Sequence, residues 1–165
     1  MGHRSIGIIF APYSIEPSGR AGESQVSLPS EDKFEKNRKK ILIVDDDETI
    51  LHLLKGFFVR KGFQVLAAKN GLGAMETLKM ENPSIILTDL KMPSFSGTDL
   101  IQFIRQNANE TPIVVMTAYP YLYPQKWNGN EVKAYFVKPF DIDEMFLAIQ
   151  RILEGSPHQT STLIK

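Results

Sequence analysis

Five short apolar runs separated by amphipathic stretches constrain this chain more than any other feature. They are Ile41–Val44 (ILIV), Gln64–Ala68 (QVLAA), Ser84–Thr88 (SIILT), Ile113–Thr117 (IVVMT) and Ala134–Val137 (AYFV). Runs this short and this rich in β-branched residues predict strands rather than helices. Between them the spacing changes. Ile50, Leu51, Leu54, Phe57 and Phe58 recur at helical intervals before Gly62. Further helices are predicted from Gly71 to about Glu81 and from Thr98 to about Gln106. Asp141 is placed to cap a last helix with Ile142, Met145, Phe146, Ile149, Ile152 and Leu153 on one face. Strands alternating with helices predict right-handed crossovers and a parallel sheet covered on both faces. The connection Tyr119–Asn130 (YPYLYPQKWNGN) breaks the pattern, because Pro120, Pro124 and Gly129 shorten or displace a fourth helix there.

Residues 1–39 are different in kind. Ser, Gly, Pro and charge dominate EPSGRAGESQVSLPSEDKFEKNRKK, with no sustained period, so a flexible N-terminal extension is expected. The apolar Ile6–Ala11 run that precedes it is short for a secretory signal. Residues 40–154 form the expected folded domain and 155–165 a tail. Of the 165 residues 42% are apolar, which suffices for a core, and cysteine is absent, which removes disulfides and thiolate metal sites. Lys+Arg and Asp+Glu balance at 19 each, so charge makes no case for nucleic acid or a membrane surface as a direct partner. The expected location is the cytoplasm.

The first strand runs into Asp45, Asp46 and Asp47. Two like charges about 4 Å apart repel by roughly 1 kcal/mol in water and about 4 kcal/mol at an effective dielectric near 20. Such a cluster asks for a cation, a capping role or a reaction that uses the charge. In a parallel sheet the carboxyl ends of the strands share one edge, where ligands collect. This sequence places Asp45 and Asp46 there from the first strand, Asp89 from the third, Thr117 from the fourth and Lys138 from the fifth. Three carboxylates carry about −3; a divalent cation on oxygen ligands and one ammonium bring the sum near zero. A phosphoryl group could then approach Asp89, whose carboxylate is a competent nucleophile. Mg2+ (or Mn2+) and Lys138 would stabilise the transferring group, and Thr117 would donate a hydrogen bond to it. Asp47 and Glu48 also suit the first turn of a helix, Asp47 as its cap.

The segments ILIVDDD, AAKNGLGAM, LTDLKMPSFSG, IVVMTAY and YFVKPFDIDE, in that order, resemble the receiver domain of two-component response regulators, and within it the stand-alone sporulation-phosphorelay type. The resemblance implies a flavodoxin-like, doubly wound five-stranded α/β sheet in the order 2-1-3-4-5. It implies Asp89 as phosphoacceptor, Asp45, Asp46 and Asp89 as metal ligands with the main-chain carbonyl of Lys91, and a cis Lys138–Pro139 peptide. Thr117 and Tyr135 would be the switch pair. Lys91 and Tyr119 stand where the family tunes hydrolysis of the acyl phosphate, and a bulky pair implies slow loss.

The implied partners are a histidine kinase or histidine phosphotransfer protein as donor and a downstream protein target, the chain acting as a monomer or a phosphorylation-dependent dimer. It would modify itself rather than turn over substrate. After Leu153 only EGSPHQTSTLIK follows, too short for a helix-turn-helix module, so output is expected through protein contact or onward phosphotransfer. A rival reading takes ILIVDDDET as the opening of a haloacid-dehalogenase-like phosphatase with Asp45 as nucleophile, but leaves Asp89 and KMPSFSG without a role. Tyr121, Tyr123 and Trp127 are read as loop packing or an aromatic recognition patch. His3, His52 and His158 show no ligand spacing.

Overall fold

The structure is a computed structural model that describes residues 38–107, 109–122 and 132–155. Residues 1–37 of the predicted extension, residues 156–165 of the tail and the Tyr123–Asn130 part of the predicted irregular connection lie outside the described residues. The strands are β1 (Lys40–Val44), β2 (Gln64–Ala68), β3 (Ile85–Thr88), β4 (Ile113–Thr117) and β5 (Ala134–Val137). The helices are α1 (Glu48–Arg60), α2 (Gly71–Met80), α3 (Gly97–Gln106) and α4 (Ile142–Leu153). All strand pairs are parallel, in the order β2-β1-β3-β4-β5, as expected. A 3-10 turn, Pro120–Leu122, opens the connection that was predicted to lack a regular helix.

Alternation along each strand sorts the core into two layers. Ile41, Ile43, Ile85, Leu87, Val114, Met116 and Phe136 pack with α1 and α4 on one face. Leu42, Val44, Ile86, Ile113, Val115 and Tyr135 pack on the other with residues of α2 and α3. Both faces are therefore covered, which is why β1, β3 and β4 read as unbroken apolar runs. On the α1–α4 side the rings of Phe57, Phe58, Phe63 and Phe146 meet mostly edge to face, with centroids 5.4–6.5 Å apart. Such contacts add about 0.5–1.5 kcal/mol each beyond burial.

Helix starts follow local hydrogen-bond chemistry. Asp47 caps α1, accepting from the N–H groups of Thr49 (2.8 Å) and Ile50 (3.4 Å). Asn70 accepts from Gly73 at α2, and Ser96 and Asp99 form a reciprocal capping box at α3. Asp141 caps α4 as predicted, accepting from Asp143 (2.8 Å) and Glu144 (3.0 Å). Each cap satisfies donors that the helix cannot satisfy itself. Lys39 closes the far end of α4 by donating to the Leu153 carbonyl.

Phe58 is fully buried at the centre of the ring cluster. Replacing it with alanine is expected to cost about 3–5 kcal/mol, measured as a lowered midpoint in urea with an unchanged slope.

Candidate phosphoacceptor and metal site

Register assembles the site. Val44 of β1 pairs with Thr88 of β3, and Thr117 of β4 pairs with Val137 of β5. The residues that follow three of these, Asp45, Asp89 and Lys138, stand one step beyond the ladder. Their backbones remain tied to it: Asp89 N–H donates to the Val44 carbonyl (2.9 Å), Asp45 N–H to Ala68 (3.2 Å) and Lys138 N–H to Thr117 (2.8 Å). Asp45, Asp89 and Lys138 continue the strand parity of Ile43, Leu87 and Phe136, whereas Thr117 follows that of Val115 and Tyr135. The acids and the amine therefore share one side of the rim, and Thr117 approaches it from the other.

Lys138 is the centre of this arrangement. Its Nζ donates to Asp45 Oδ2 at 2.6 Å and to Asp89 Oδ2 at 3.0 Å. Asp45 is fully buried, and its second oxygen accepts from the Asp47 N–H at 2.9 Å. Asp89, also buried, accepts through Oδ1 from Leu90 N–H (2.6 Å) and Lys91 N–H (3.3 Å). Burial pushes the Asp45 carboxyl above its ordinary range, and the hydrogen bonds from Lys138 and Asp47 offset this only in part. Burial pulls the Lys138 ammonium down, but its two carboxylate partners outweigh it and hold the pKa above that of a free lysine. Asp47 goes the other way, its carboxyl lowered by the N–H groups of Thr49 and Ile50.

Oxygens of Asp45, Asp46 and Asp89 lie within 4.8 Å of one another, with Asp46 exposed at the mouth. A trio of carboxylates is the hard, oxygen-only donor set that Mg2+ prefers, and it fits the ion expected from the sequence. Thr117 is buried; its hydroxyl oxygen accepts from the Tyr119 N–H at 3.1 Å. Tyr135 is buried in the layer that contains Val115. The Lys138–Pro139 peptide is cis, as the resemblance implied.

Three features escaped the sequence reading. Gly97 passes so close to the end of β3 that a Cβ would lie 1.8 Å from the Asp89 carbonyl oxygen. No side chain fits there; the glycine closing MPSFSG was the signal. Lys91 sets its Nζ 4.2 Å from the centre of the Tyr119 ring, and Tyr121 packs edge-on against Tyr119. Tyr123 and Trp127 of the predicted aromatic patch lie outside the described residues. His52 is exposed, its Nδ1 2.7 Å from the Glu48 carbonyl oxygen, and takes no part in the site. Among the described residues no helix is long and apolar enough to cross a membrane.

The phosphatase reading is not favoured. It gives no role to Asp89, which shares the Lys138 ammonium with Asp45 and completes the same acidic trio.

The family model of the response regulator receiver domain matches residues 41–150. Sporulation initiation phosphotransferase F of Bacillus subtilis is 35% identical over 116 residues, covering 70% of this chain and 94% of that protein. Regulatory protein AtoC of Escherichia coli is 33% identical over 122 residues, covering 70% of this chain but 25% of that longer protein. Among solved structures, response regulator protein TrrA of Thermotoga maritima, in complex with Mg2+-BeF, superposes with a TM-score of 0.63 at 30% identity. That match covers 69% of this chain and 98% of the other.

Lys138→Met is expected to remove about 3 kcal/mol of stability at pH 7 without divalent ions, because it leaves Asp45 and Asp89 buried side by side with no cation. The folded-state carboxyl pKa then rises further above its unfolded value, so the folded state binds the extra proton. The deficit should shrink as pH falls through that raised pKa and persist above it. Urea titrations of both proteins between pH 4 and 8 measure it.

Proposed function

Because this chain belongs to the response regulator receiver domain family, we propose that Asp89 accepts a phosphoryl group from a phosphohistidine of a histidine kinase or phosphotransfer protein. The single observation that carries this reading is the Lys138 ammonium held between the Asp45 and Asp89 carboxylates at the strand ends. In the reaction an Asp89 oxygen attacks phosphorus and the phosphorus–nitrogen bond of the donor breaks. The electron pair stays on the imidazole nitrogen, which takes up a proton. Asp45, Asp46 and Asp89 would hold Mg2+ (or Mn2+), with the Lys91 main-chain carbonyl as a further ligand, and the ion supplies positive charge for the incoming phosphoryl oxygens.

The chain's own groups do the rest. The N–H groups of Leu90 and Lys91 fix the Asp89 carboxylate in orientation, so little reorganisation is left for the reaction. Lys138 neutralises charge that three carboxylates would otherwise present to an anionic donor. Gly97 lets the following helix sit against the Asp89 backbone and keeps that strand end from shifting. Once phosphate is bound, Thr117 turns its hydroxyl toward it and gives up its contact with the Tyr119 N–H. Thr117 and Tyr135 share the layer behind β4 and β5, so this movement biases a two-state surface formed by β4, β5 and α4. Output is by protein contact, by a phosphorylation-dependent dimer or by onward phosphotransfer. We place this activity in residues 40–154 and in the cytoplasm.

The phosphoryl group should be lost slowly. Lys91 stands beside Asp89 and Tyr119 beside Thr117, and their side chains meet across the rim. A cation over an aromatic face at an exposed site contributes about 0.5–1 kcal/mol, which biases the pair toward lying over the path of an attacking water.

Incubating the purified chain with acetyl phosphate and Mg2+ should label Asp89, located by mass spectrometry after borohydride trapping. Asp89→Asn should abolish labelling, and chelation of divalent ions should reduce it at least tenfold. Lys138→Ala should keep some labelling yet uncouple it from partner binding. Label found on Asp45 instead would overturn the assignment.

A further inference from the structure

We propose that Tyr121 is a positioning residue that sets the lifetime of the phosphorylated state by bracing Tyr119 beneath the Lys91 ammonium. The inference rests on Asp89 being the phosphoacceptor, and extends that reading to a residue that touches neither the acid nor its expected ligands. The Lys91 main chain is bonded to Asp89 Oδ1 and the Tyr119 main chain to Thr117 Oγ1. Each residue is therefore anchored at its backbone to a working group of the site. The side chains are less constrained: Lys91 is exposed and Tyr119 only half-buried. A long exposed lysine loses much rotamer freedom when it is held in one place, so the pair alone would open often.

Tyr121 supplies the missing constraint. It is 75% exposed, so burial does not explain where its ring lies. That ring nonetheless meets Tyr119 with centroids 5.8 Å apart and planes at 84°, the edge-to-face geometry that aromatic quadrupoles favour. It sits in the 3-10 turn Pro120–Leu122, where the fixed φ of Pro120 restricts the chain just before it. The result is a row of three side chains, Lys91, Tyr119 and Tyr121, running from the β3 side of the rim to the β4 side. With the row closed, water is kept from phosphorus. With it open, a water oxygen attacks phosphorus and the bond to the Asp89 oxygen breaks. The electron pair then returns to the carboxylate, inorganic phosphate leaves and a proton passes to solvent.

The test uses the full chain phosphorylated with acetyl phosphate and freed of donor. Tyr121→Ala should shorten the phosphoryl half-life about two- to tenfold, while Tyr121→Phe, which keeps the ring, should leave it unchanged. Tyr119→Ala and the Tyr119→Ala/Tyr121→Ala double variant should decay at the same rate, because the brace acts only through Tyr119. An independent reading needs no phosphate: the Lys91 side-chain methylene protons should show an upfield ring-current shift from Tyr119 that weakens in Tyr121→Ala. An unmoved Lys91 signal with an unchanged half-life, or additive effects in the double variant, overturns the proposal. Failure of Asp89 to label at all overturns the phosphoacceptor reading instead, and the Lys91 shift then still decides whether Tyr121 braces the ring.

Discussion

Two carboxylates at the ends of neighbouring buried strands repel one another unless a cation lies between them, and that constraint organises this rim. Asp45 is sealed from solvent and Asp89 nearly so. In so poorly solvated a setting their mutual repulsion would far exceed its value in water. Lys138 resolves the conflict with one ammonium shared between them. The sharing is only partial compensation: Asp45 still sits above the ordinary carboxylate range because its burial is the larger effect. A site in this condition is predisposed to take a further cation.

The sheet makes such a site affordable. Parallel strands buried on both faces are stiff, and hydrogen bonds from Asp45, Asp89 and Lys138 extend the ladder one residue beyond the strands proper. The charged groups are thereby held in place by backbone geometry rather than by their attraction to one another. The two layers have different tasks. The α1–α4 side carries the acids, the amine and the phenylalanine cluster. The opposite side carries Tyr135 among aliphatic neighbours, and Thr117 shares its strand parity.

Most of this was legible in the residues. The five apolar runs became the five strands, with β1 beginning one residue earlier and β3 one residue later than predicted. Asp47 and Asp141 act as the caps their positions suggested. Strand ends were readable because apolar runs stop abruptly at charge, and a parallel sheet then dictates that those ends meet. What could not be read were contacts without periodicity. The approach of Gly97 to the Asp89 carbonyl depends on how a loop folds back. The stacking of Lys91, Tyr119 and Tyr121 depends on rotamers, and sequence spacing carries no information about those. The Tyr119–Asn130 connection was expected from its prolines to lack a regular helix, and its described part opens with the 3-10 turn Pro120–Leu122.

The Lys138–Asp45 bond joins residues 93 positions apart. A chain made from its N-terminus outward, as nascent chains are, exposes all three aspartates long before the ammonium that balances them. Until β5 docks at the sheet edge, the acids at the ends of β1 and β3 lack their internal counter-charge, and that mutual aversion works against premature closure of the strands that bear them. The last strand therefore both completes the sheet and makes the reactive rim tolerable, so the capacity to receive a signal arrives together with the finished fold.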